Sequence, residues 1–495
     1  METAAALLDR ASAAHQAGRL AEAEQGYLKI LEMRPDFVPA HFNLAHILLA
    51  QGKMRGAITH YEAALRLDPQ NFRAFNNLGN MYRAEGDPKE AVRIYRRALE
   101  IKPDYPEAFT NLGTALRDLG QYDEALESYK QGLGFKPNFE AAEINLGTLL
   151  QRLGRYREAV ALYDEILRRA PNSKEAQWNK AMALLALGDY VEGWKLHESG
   201  LGDGSKRGPA WIEKRWDGSP FPGKRLLIRS EQGLGDSLQF VRYAALCKER
   251  GGQVLLQCSK PLARLLRNCP FIDAVVADPQ DSDFDFQIAM MSLPYIFGTT
   301  LETIPAKIPY LFVDDATQEK WAPIFFGAAG FKIGLVWAGS PREIGIDARL
   351  MDERRSIDLE MLKPLFACKD VGFYSLQIGK AVGEIAANDL GGRLIDYTNG
   401  IEDFLDTAAI VENLDLVISV DTSVVHLAGG LGKPVWVLSR FDACWRWLQN
   451  REISPWYPNA RVFGQPVLGD WNSVVKNVCD AFGRELARKA PNVLK

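Results

Sequence analysis

The sequence predicts an all-α superhelix of repeated helix pairs, followed by an α/β region made of two parallel-sheet units. Three observations carry this. Asparagine recurs at Asn43, Asn77, Asn111, Asn145 and Asn179, always 34 residues apart, which is the period of a helix–turn–helix solenoid. After Lys224, short apolar strands alternate with helical stretches, the pattern of a parallel sheet. The alternation starts again at Lys332, so there are two such units.

Other positions share the register of the asparagines. Gly18, Gly52, Gly86, Gly120, Gly154 and Gly188 fall at the turn between two helices, where the backbone turns left-handed. Ala23, Ala57, Ala91, Ala125 and Ala159 let the second helix pack closely, and Tyr27, Tyr61, Tyr95, Tyr129 and Tyr163 fill the groove between helices. Pro35, Pro69, Pro103, Pro137 and Pro171 end each second helix. Leu44, Leu78, Leu112 and Leu146 follow the asparagines and are expected to face inward. The pattern resembles the tetratricopeptide repeat. In the sixth unit Gly193 and His197 replace the alanine and tyrosine, as a capping or junction repeat would.

An amide side chain donates and accepts hydrogen bonds. A column of amides could hold a peptide main chain of any sequence, or it could bond neighbouring helices to each other. The repeats alone leave both open.

The chain has 495 residues, 47% hydrophobic and 25% charged, with net charge −4. That length predicts roughly three domains. A slightly acidic balance without a basic arm argues against nucleic acid as partner. There is no signal-peptide pattern at the start and no apolar run of about 20 residues, so no membrane span is expected. The six cysteines, Cys247, Cys258, Cys269, Cys368, Cys444 and Cys479, are scattered without paired spacing. Such spacing fits a reducing cytoplasm and gives no zinc signature. A cytoplasmic location is expected; oligomeric state is open, a homo-oligomer included.

The boundaries expected are a superhelix over 1–200, a linker over 201–224, one α/β domain over 225–325 and a second over 326–495. The linker is rich in glycine, proline and charge, but Trp211 and Trp216 predict that it is docked, because large apolar rings are costly to leave in water. In the first α/β unit, strands are expected at Arg225–Arg229, Gln253–Cys258, Ala274–Ala277 and Phe284–Met290, with a helical stretch from Ser237 to Arg250. In the second they are expected at Ile333–Ala338, Gly372–Gln377, Leu394–Tyr397, Leu414–Val420 and Val435–Leu438. Two such units predict Rossmann-like domains facing a cleft, with ligands beyond the carboxyl ends of the strands.

Two loops at such ends carry candidate chemistry. Glu231-Gln232-Gly233-Leu234-Gly235-Asp236 joins the first strand to a helix. Its glycines allow a ligand to approach the backbone, and a helix N-terminus favours negative charge. Asp236 is either a cap for that helix or a general base projecting into the cleft. Asp421, Thr422 and Ser423 end a second apolar strand and start a helix, with His426 one turn on. Amides, hydroxyls and a histidine there suit a phosphate or a sugar hydroxyl. Asp283 and Asp285 imitate an Asp-x-Asp metal motif, but are read as surface charges.

These motifs occur in order with Val336-Trp337-Ala338-Gly339, Arg355-Ser356-Ile357, His426-Leu427-Ala428-Gly429, Trp445-Arg446-Trp447 and Ser454-Pro455-Trp456-Tyr457-Pro458. Over roughly residues 225–480 the chain resembles the heptosyltransferase-like glycosyltransferases of the GT-B type. The whole resembles bacterial fusions of tetratricopeptide repeats to such a domain, some of them linked to flagellin glycosylation. In architecture it is also similar to O-linked N-acetylglucosamine transferase, whose superhelix carries an asparagine ladder.

The resemblance implies an inverting, metal-independent transfer of sugar from a nucleotide-sugar co-substrate to a protein serine or threonine, with no cofactor. Asp236 matches the catalytic base. Arg355 matches the position that neutralises the leaving phosphate. Gly233, Gly235, Trp337, Gly339, Ser356, Gln377, Asp421, Thr422, Ser423 and His426 fall on the donor side. Asn43, Asn77, Asn111, Asn145 and Asn179 would hold the acceptor polypeptide. Transfer to a lipopolysaccharide or surface glycan, or a catalytically silent repeat scaffold, are the alternatives. A CMP-linked nine-carbon acid, a UDP-N-acetylhexosamine, GDP-fucose and ADP-heptose all remain open as donors.

Two departures stand out. The Ser340–Arg354 loop is longer and more charged than the resemblance implies, and Cys444 stands where an aspartate is common. Trp445, Trp447, Trp456 and Tyr457 either line the sugar site or pack, and packing is the expectation.

Overall fold

The computed structural model describes residues 3–200, 213–326, 330–340, 346–388, 390, 392–448 and 451–489. Two compact units make up the chain: Met1–Leu149 with Gly345–Asp347, and Leu150–Ile344 with Ala348–Lys495.

The first unit is helical over its described residues. Its pairs are Ala4–Gln16 with Leu20–Met33, Val38–Ala50 with Met54–Leu67, Phe72–Glu85 with Pro88–Ile101, and Pro106–Asp118 with Tyr122–Phe135, followed by the start of Glu140–Arg152. The turn glycines behave as expected. Gly52 and Gly120 have φ of 74° and 76°, and nothing lies within 4 Å of a Cβ built on either. Conformation rather than space therefore requires glycine there. Ala57, Ala91 and Ala125 are fully buried, as are Tyr61, Tyr95 and Tyr129. The tyrosines lie on small residues of the first helix: a Cβ on Gly79 would come within 2.6 Å of Tyr95 Cε1, and one on Gly113 within 2.8 Å of Tyr129 Cε1. Helices end at Leu67 and Ile101, one residue short of the residue before Pro69 and Pro103. Leu44, Leu78 and Leu112 are buried; Leu146 is only partly so.

The second unit begins with the helices Tyr156–Arg169, Lys174–Leu187 and Tyr190–Gly200. In the last of these Gly193 and His197 do replace alanine and tyrosine; His197 is buried against Trp178 and Trp194. Trp216 is buried and donates through Nε1 to Ser219 O at 2.8 Å. Its neighbour Arg215 bridges to Gln287 at a sheet edge. The segment is thus docked as far as it is described; Trp211 lies outside the described residues.

Two all-parallel sheets follow. In the first, β1 (Arg225–Arg229), β2 (Gln253–Gln257), β3 (Ala274–Val276) and β4 (Phe286–Ala289) lie in the order β3-β2-β1-β4. In the second, β5 (Phe331–Val336), β6 (Val371–Ser375), β7 (Leu394–Ile395), β8 (Leu416–Val420), β9 (Val435–Ser439) and β10 (Ala460–Gly464) lie in the order β10-β9-β8-β5-β6-β7. Numbered within its own sheet, that is 6-5-4-1-2-3, a doubly wound order. Every residue of β8 and β9 is buried, as strands covered on both faces require. One face of the second sheet packs Ile333, Leu335, Ile418, Val420 and Leu438 against Val474, Val478 and Phe482 of the helix Trp471–Lys489.

Three expectations need correction. The strand β10 was not foreseen. The stretch from Ser237 to Arg250 is two short helices, Leu234–Phe240 and Tyr243–Glu249. Arg242 Nε donates to Gln239 O at 2.8 Å and so takes the carbonyl that would continue the helical ladder. The loop expected from Ser340 to Arg354 contains the helix Ile346–Arg355. Its charges pair along the helix, Arg349 with Glu353 and Arg355 with Asp352. Residues 341–345 lie outside the described residues.

Candidate functional site

Both loops singled out in the sequence lie at the carboxyl ends of central strands. β1 leads into the helix Leu234–Phe240, and β8 into the helix Ser423–Gly430. Each strand borders the position where the strand order of its sheet reverses, between β1 and β4 and between β8 and β5. Such switch points are where parallel sheets bind ligands.

The two helices meet through Gly235. A Cβ there would come within 2.9 Å of His426 Cδ2, 3.5 Å of His426 Nε2 and 3.6 Å of Ser423 Cα. Any side chain at 235 would push the helices apart. Gly233 is the N-cap of the first helix, and Asp236 Oδ2 accepts from its amide at 3.0 Å. Asp236 is therefore a cap. Its other oxygen, Oδ1, accepts from Arg446 Nη2.

Arg446 is the residue that the sequence reading did not assign a role. It also donates through Nε to Gln239 Oε1 at 2.6 Å and through Nη1 to Cys444 Sγ at 2.9 Å. Burial disfavours its charge, but the Cys444 sulfur, Asp236 and Asp421 together hold its proton more tightly than water does. One signal was available in the sequence: a charge between two tryptophans must find a partner when it is buried.

His426 is 5% exposed. Its ring stacks on Trp447 with centroids 5.6 Å apart and planes 15° apart. Nδ1 lies 3.0 Å from the Tyr457 oxygen. Burial, then the charges of Arg446 and Arg242, pushes its pKa well below the usual value and keeps the ring neutral. Arg242 is itself buried, and among the described residues no carboxylate pairs with it. It donates to Trp456 O at 2.7 Å and to Tyr310 OH at 2.9 Å, and lies 4.5 and 4.6 Å from the ring centroids of Tyr310 and Tyr457.

A second group of candidates is continuous with the first. The Arg355 guanidinium lies on Gly339: a Cβ there would come within 2.4 Å of Arg355 Nε. Arg355 pairs with Asp352 at 2.8 Å and donates through Nη1 to Asp421 O at 3.3 Å. Ser356 Oγ accepts from Gly339 N at 3.1 Å. Thr422 is the N-cap of the helix Ser423–Gly430, but its hydroxyl bonds Ser419 Oγ at 3.1 Å instead of the helix amides. The helix start is therefore not closed by a side chain.

Two donor-side candidates serve the frame. Trp337 is fully buried in the core of the second sheet. Gln377 Oε1 accepts from Trp337 N and Ala338 N, and Nε2 donates to Ala338 O and Ile378 O, all within 2.9–3.1 Å. Its amide has no capacity left. It ties the loop after β5 to the loop after β6. Trp445, Trp447, Trp456 and Tyr457 are all buried, so packing is where the structure puts them. Trp445 meets Trp194 edge-on at 5.2 Å, and Trp456 Nε1 donates to Tyr190 OH at 2.9 Å. Asp283 caps Gln280 N, and Asp285 accepts from Arg225 N. A cavity of about 600 Å³ opens beside this site at the carboxyl ends of β9 and β10, lined in part by Arg440, Arg451, Arg461 and Arg484. Neither Asp236 nor His426 lines it.

The asparagine column divides. Asn111 Nδ2 donates to Asn76 Oδ1 at 2.9 Å, Asn76 Nδ2 to Asn77 Oδ1 at 3.4 Å, and Asn77 Nδ2 to His46 Nε2 at 3.0 Å. Asn77 and Asn111 thus take part in a relay that bonds the first helices of three successive repeats. Asn43 and Asn145 make no side-chain hydrogen bond among the described residues, and both are half-buried. In the second unit Asn179 Nδ2 donates to Glu175 O of its own helix at 3.0 Å.

The chain carries tetratricopeptide repeats. Family models of that repeat match residues 42–106, 82–153 and 144–193. Protein FlbA of Caulobacter vibrioides is 28% identical over 321 residues, a match that covers 58% of this chain and 52% of that protein. The chain therefore spans about half the length of this curated relative. Among solved structures, MamA is 24% identical with TM-score 0.31, over 34% of this chain and 91% of that one. YrrB, described as a TPR protein with an unusual peptide-binding site, is 22% identical with TM-score 0.30, over 35% and 90%. Among the described residues no helix is long and apolar enough to cross a membrane.

Proposed function

We propose that the chain is an inverting glycosyltransferase of GT-B type that moves a sugar from a nucleotide-sugar to a polypeptide serine or threonine, with flagellin-type proteins as the acceptor class. The observation that carries this is the pairing of the Asp236 helix with the Ser423–Gly430 helix at the switch points of two parallel sheets. Asp236 is the base that takes the proton of the acceptor hydroxyl. A carboxylate has about four lone-pair sites, so the Gly233 amide and Arg446 leave room for that hydroxyl. The hydroxyl oxygen attacks the anomeric carbon while its bond to the phosphate oxygen breaks, and the nucleotide leaves with that electron pair. Arg355 and the uncapped start of the Ser423–Gly430 helix neutralise the leaving phosphate, so no metal is required in this scheme. The repeats of the first unit hold the acceptor polypeptide through Asn43 and Asn145, whose side chains make no hydrogen bond among the described residues.

One observation favours a second reading. Both Asp236 oxygens already have a donor, as they would in a repeat scaffold whose α/β part no longer turns over. Asp236→Ala separates the two. In the transferase, the variant loses sugar transfer and keeps nucleotide binding. Transfer at the wild-type rate in that variant would remove Asp236 from the base role, and a wild-type chain that binds no nucleotide would favour the scaffold.

A further inference from the structure

We propose that the cavity at the carboxyl ends of β9 and β10 is a second ligand site, for a small molecule that carries two or more negative charges on oxyanion groups. The inference goes beyond the sugar-transfer reading and stands whether or not that reading holds.

Charge is the first ground. Arg440, Arg451, Arg461 and Arg484 line the cavity against two carboxylates, Glu452 and Asp480, an excess of two positive charges. Asp442 holds Arg440 at 3.1 Å, but its other oxygen lies 3.5 Å from Arg354, so adding that pair leaves the excess at two. Arg461 is paired with Glu452 at 3.3 Å and lies over the Phe463 ring. Arg451 and Arg484 are exposed and form no ion pair among the described residues. Their charges are the ones left for a ligand. A concave wall with one sign of charge in excess concentrates ions of the other sign.

Shape is the second. The volume of about 600 Å³ suits a small molecule rather than a few waters. Hydrogen bonds fix the wall. Gln465 Oε1 accepts from Phe441 N and from Gly469 N, both at 3.0 Å, and Gln465 N donates to Ser439 O at 2.9 Å. These bonds tie the turn after β9 to the turn after β10. Val462 N donates to Glu452 O at 2.7 Å, which holds the stretch next to Arg451 against β10. A wall already in place costs little to order when a ligand arrives.

The donors define the ligand. A guanidinium offers paired N–H groups that match the oxygens of a phosphate or a carboxylate. Asp236, Arg355, Ser423 and His426 do not line the cavity, so its ligand is not the nucleotide of the proposed donor cleft.

Calorimetric titration of the full chain at low salt, with pyrophosphate and with citrate, tests this. One molecule of either probe, or of each, is expected to bind per chain, and more weakly as sodium chloride is added. Arg451→Gln together with Arg484→Gln should weaken binding by about tenfold or more. Both changes are exposed, so the melting midpoint without ligand should hardly move. Gly464→Asp places a carboxylate on the cavity wall, at a position where nothing lies within 4 Å of a Cβ, and should weaken binding in the same way. Arg355→Ala should leave the affinity as it is. Binding of pyrophosphate alone marks the ligand as phosphorylated, of citrate alone as a carboxylate, and of both as recognised by charge. A loss of affinity in the arginine variant or in Gly464→Asp places the probe in this cavity. No binding of either probe to the wild type, wild-type affinity in both variants, or a loss on Arg355→Ala instead overturns the proposal.

Discussion

Arg446 donates to Asp236 across 210 residues of sequence, from the turn that follows β9 to the helix that follows β1. The arginine and the aspartate are both largely buried. The pair therefore ties the two sheets together at the residue proposed as base.

Removing either partner leaves a largely buried charge unmatched. Asp236→Asn and Arg446→Met should each destabilise the chain in urea, and together by less than the sum. The coupling expected is about 1–2 kcal/mol, in the range of contacting charged pairs. Additive single effects would show that the contact contributes nothing to stability.

Two glycines in the repeats should fail for different reasons. Gly120→Ala meets no atom but keeps a left-handed backbone, at a cost of about 1–2 kcal/mol. Gly120→Asn should cost less, because asparagine tolerates that conformation. Gly79→Ala has ordinary backbone but drives a methyl into the Tyr95 ring. It should cost about 1–3 kcal/mol as overpacking, and Tyr95→Leu should relieve part of it.

The repeats were legible in the sequence because each position in the period answers a separate demand: a left-handed turn at Gly52, a close approach at Ala57, a filled groove at Tyr61, a stop at Pro69. The strands were legible as apolar runs, and their carboxyl ends as candidate sites. What escaped depends on contacts between distant segments. No spacing announces that Arg446 reaches Asp236 or that Arg242 is buried among tyrosines. Gln377 ends a strand like any ligand-facing residue, and only its four hydrogen bonds reveal a strut. β10 is five residues long with Arg461 inside it, which weakens its apolar pattern. The asparagine column was legible as a column, but not which of its members bond neighbouring helices.

That division gives a prediction. Asn77→Ala breaks the relay to His46 and should cost about 0.5–1.5 kcal/mol, measured by thermal or urea unfolding. The double variant Asn43→Ala, Asn145→Ala breaks no side-chain hydrogen bond among the described residues and should stay within about 0.5 kcal/mol per site. It should lose polypeptide transfer while donor hydrolysis continues. Wild-type transfer by the double variant would remove these asparagines from acceptor binding.

Stability should fall on mild acidification. Burial lowers the pKa of His46, His60 and His426 in the folded chain. The unfolded chain then binds protons first, so the stabilisation is full above about pH 6.5 and is lost as pH falls below it. The melting midpoint should drop between about pH 7 and pH 5, and His426→Gln should reduce the drop. A midpoint that rises over this interval would contradict the burial of neutral imidazoles.

The central claim is that the cleft between the two sheets binds a nucleotide-sugar, and thermal unfolding against a panel of CMP-, UDP-, GDP- and ADP-sugars tests it most directly. One sugar nucleotide is predicted to raise the melting midpoint, corresponding to about 2.7 kcal/mol at a hundred times its dissociation constant. Arg355→Ala is predicted to abolish the shift. A panel in which no nucleotide-sugar shifts the wild-type midpoint would contradict the account.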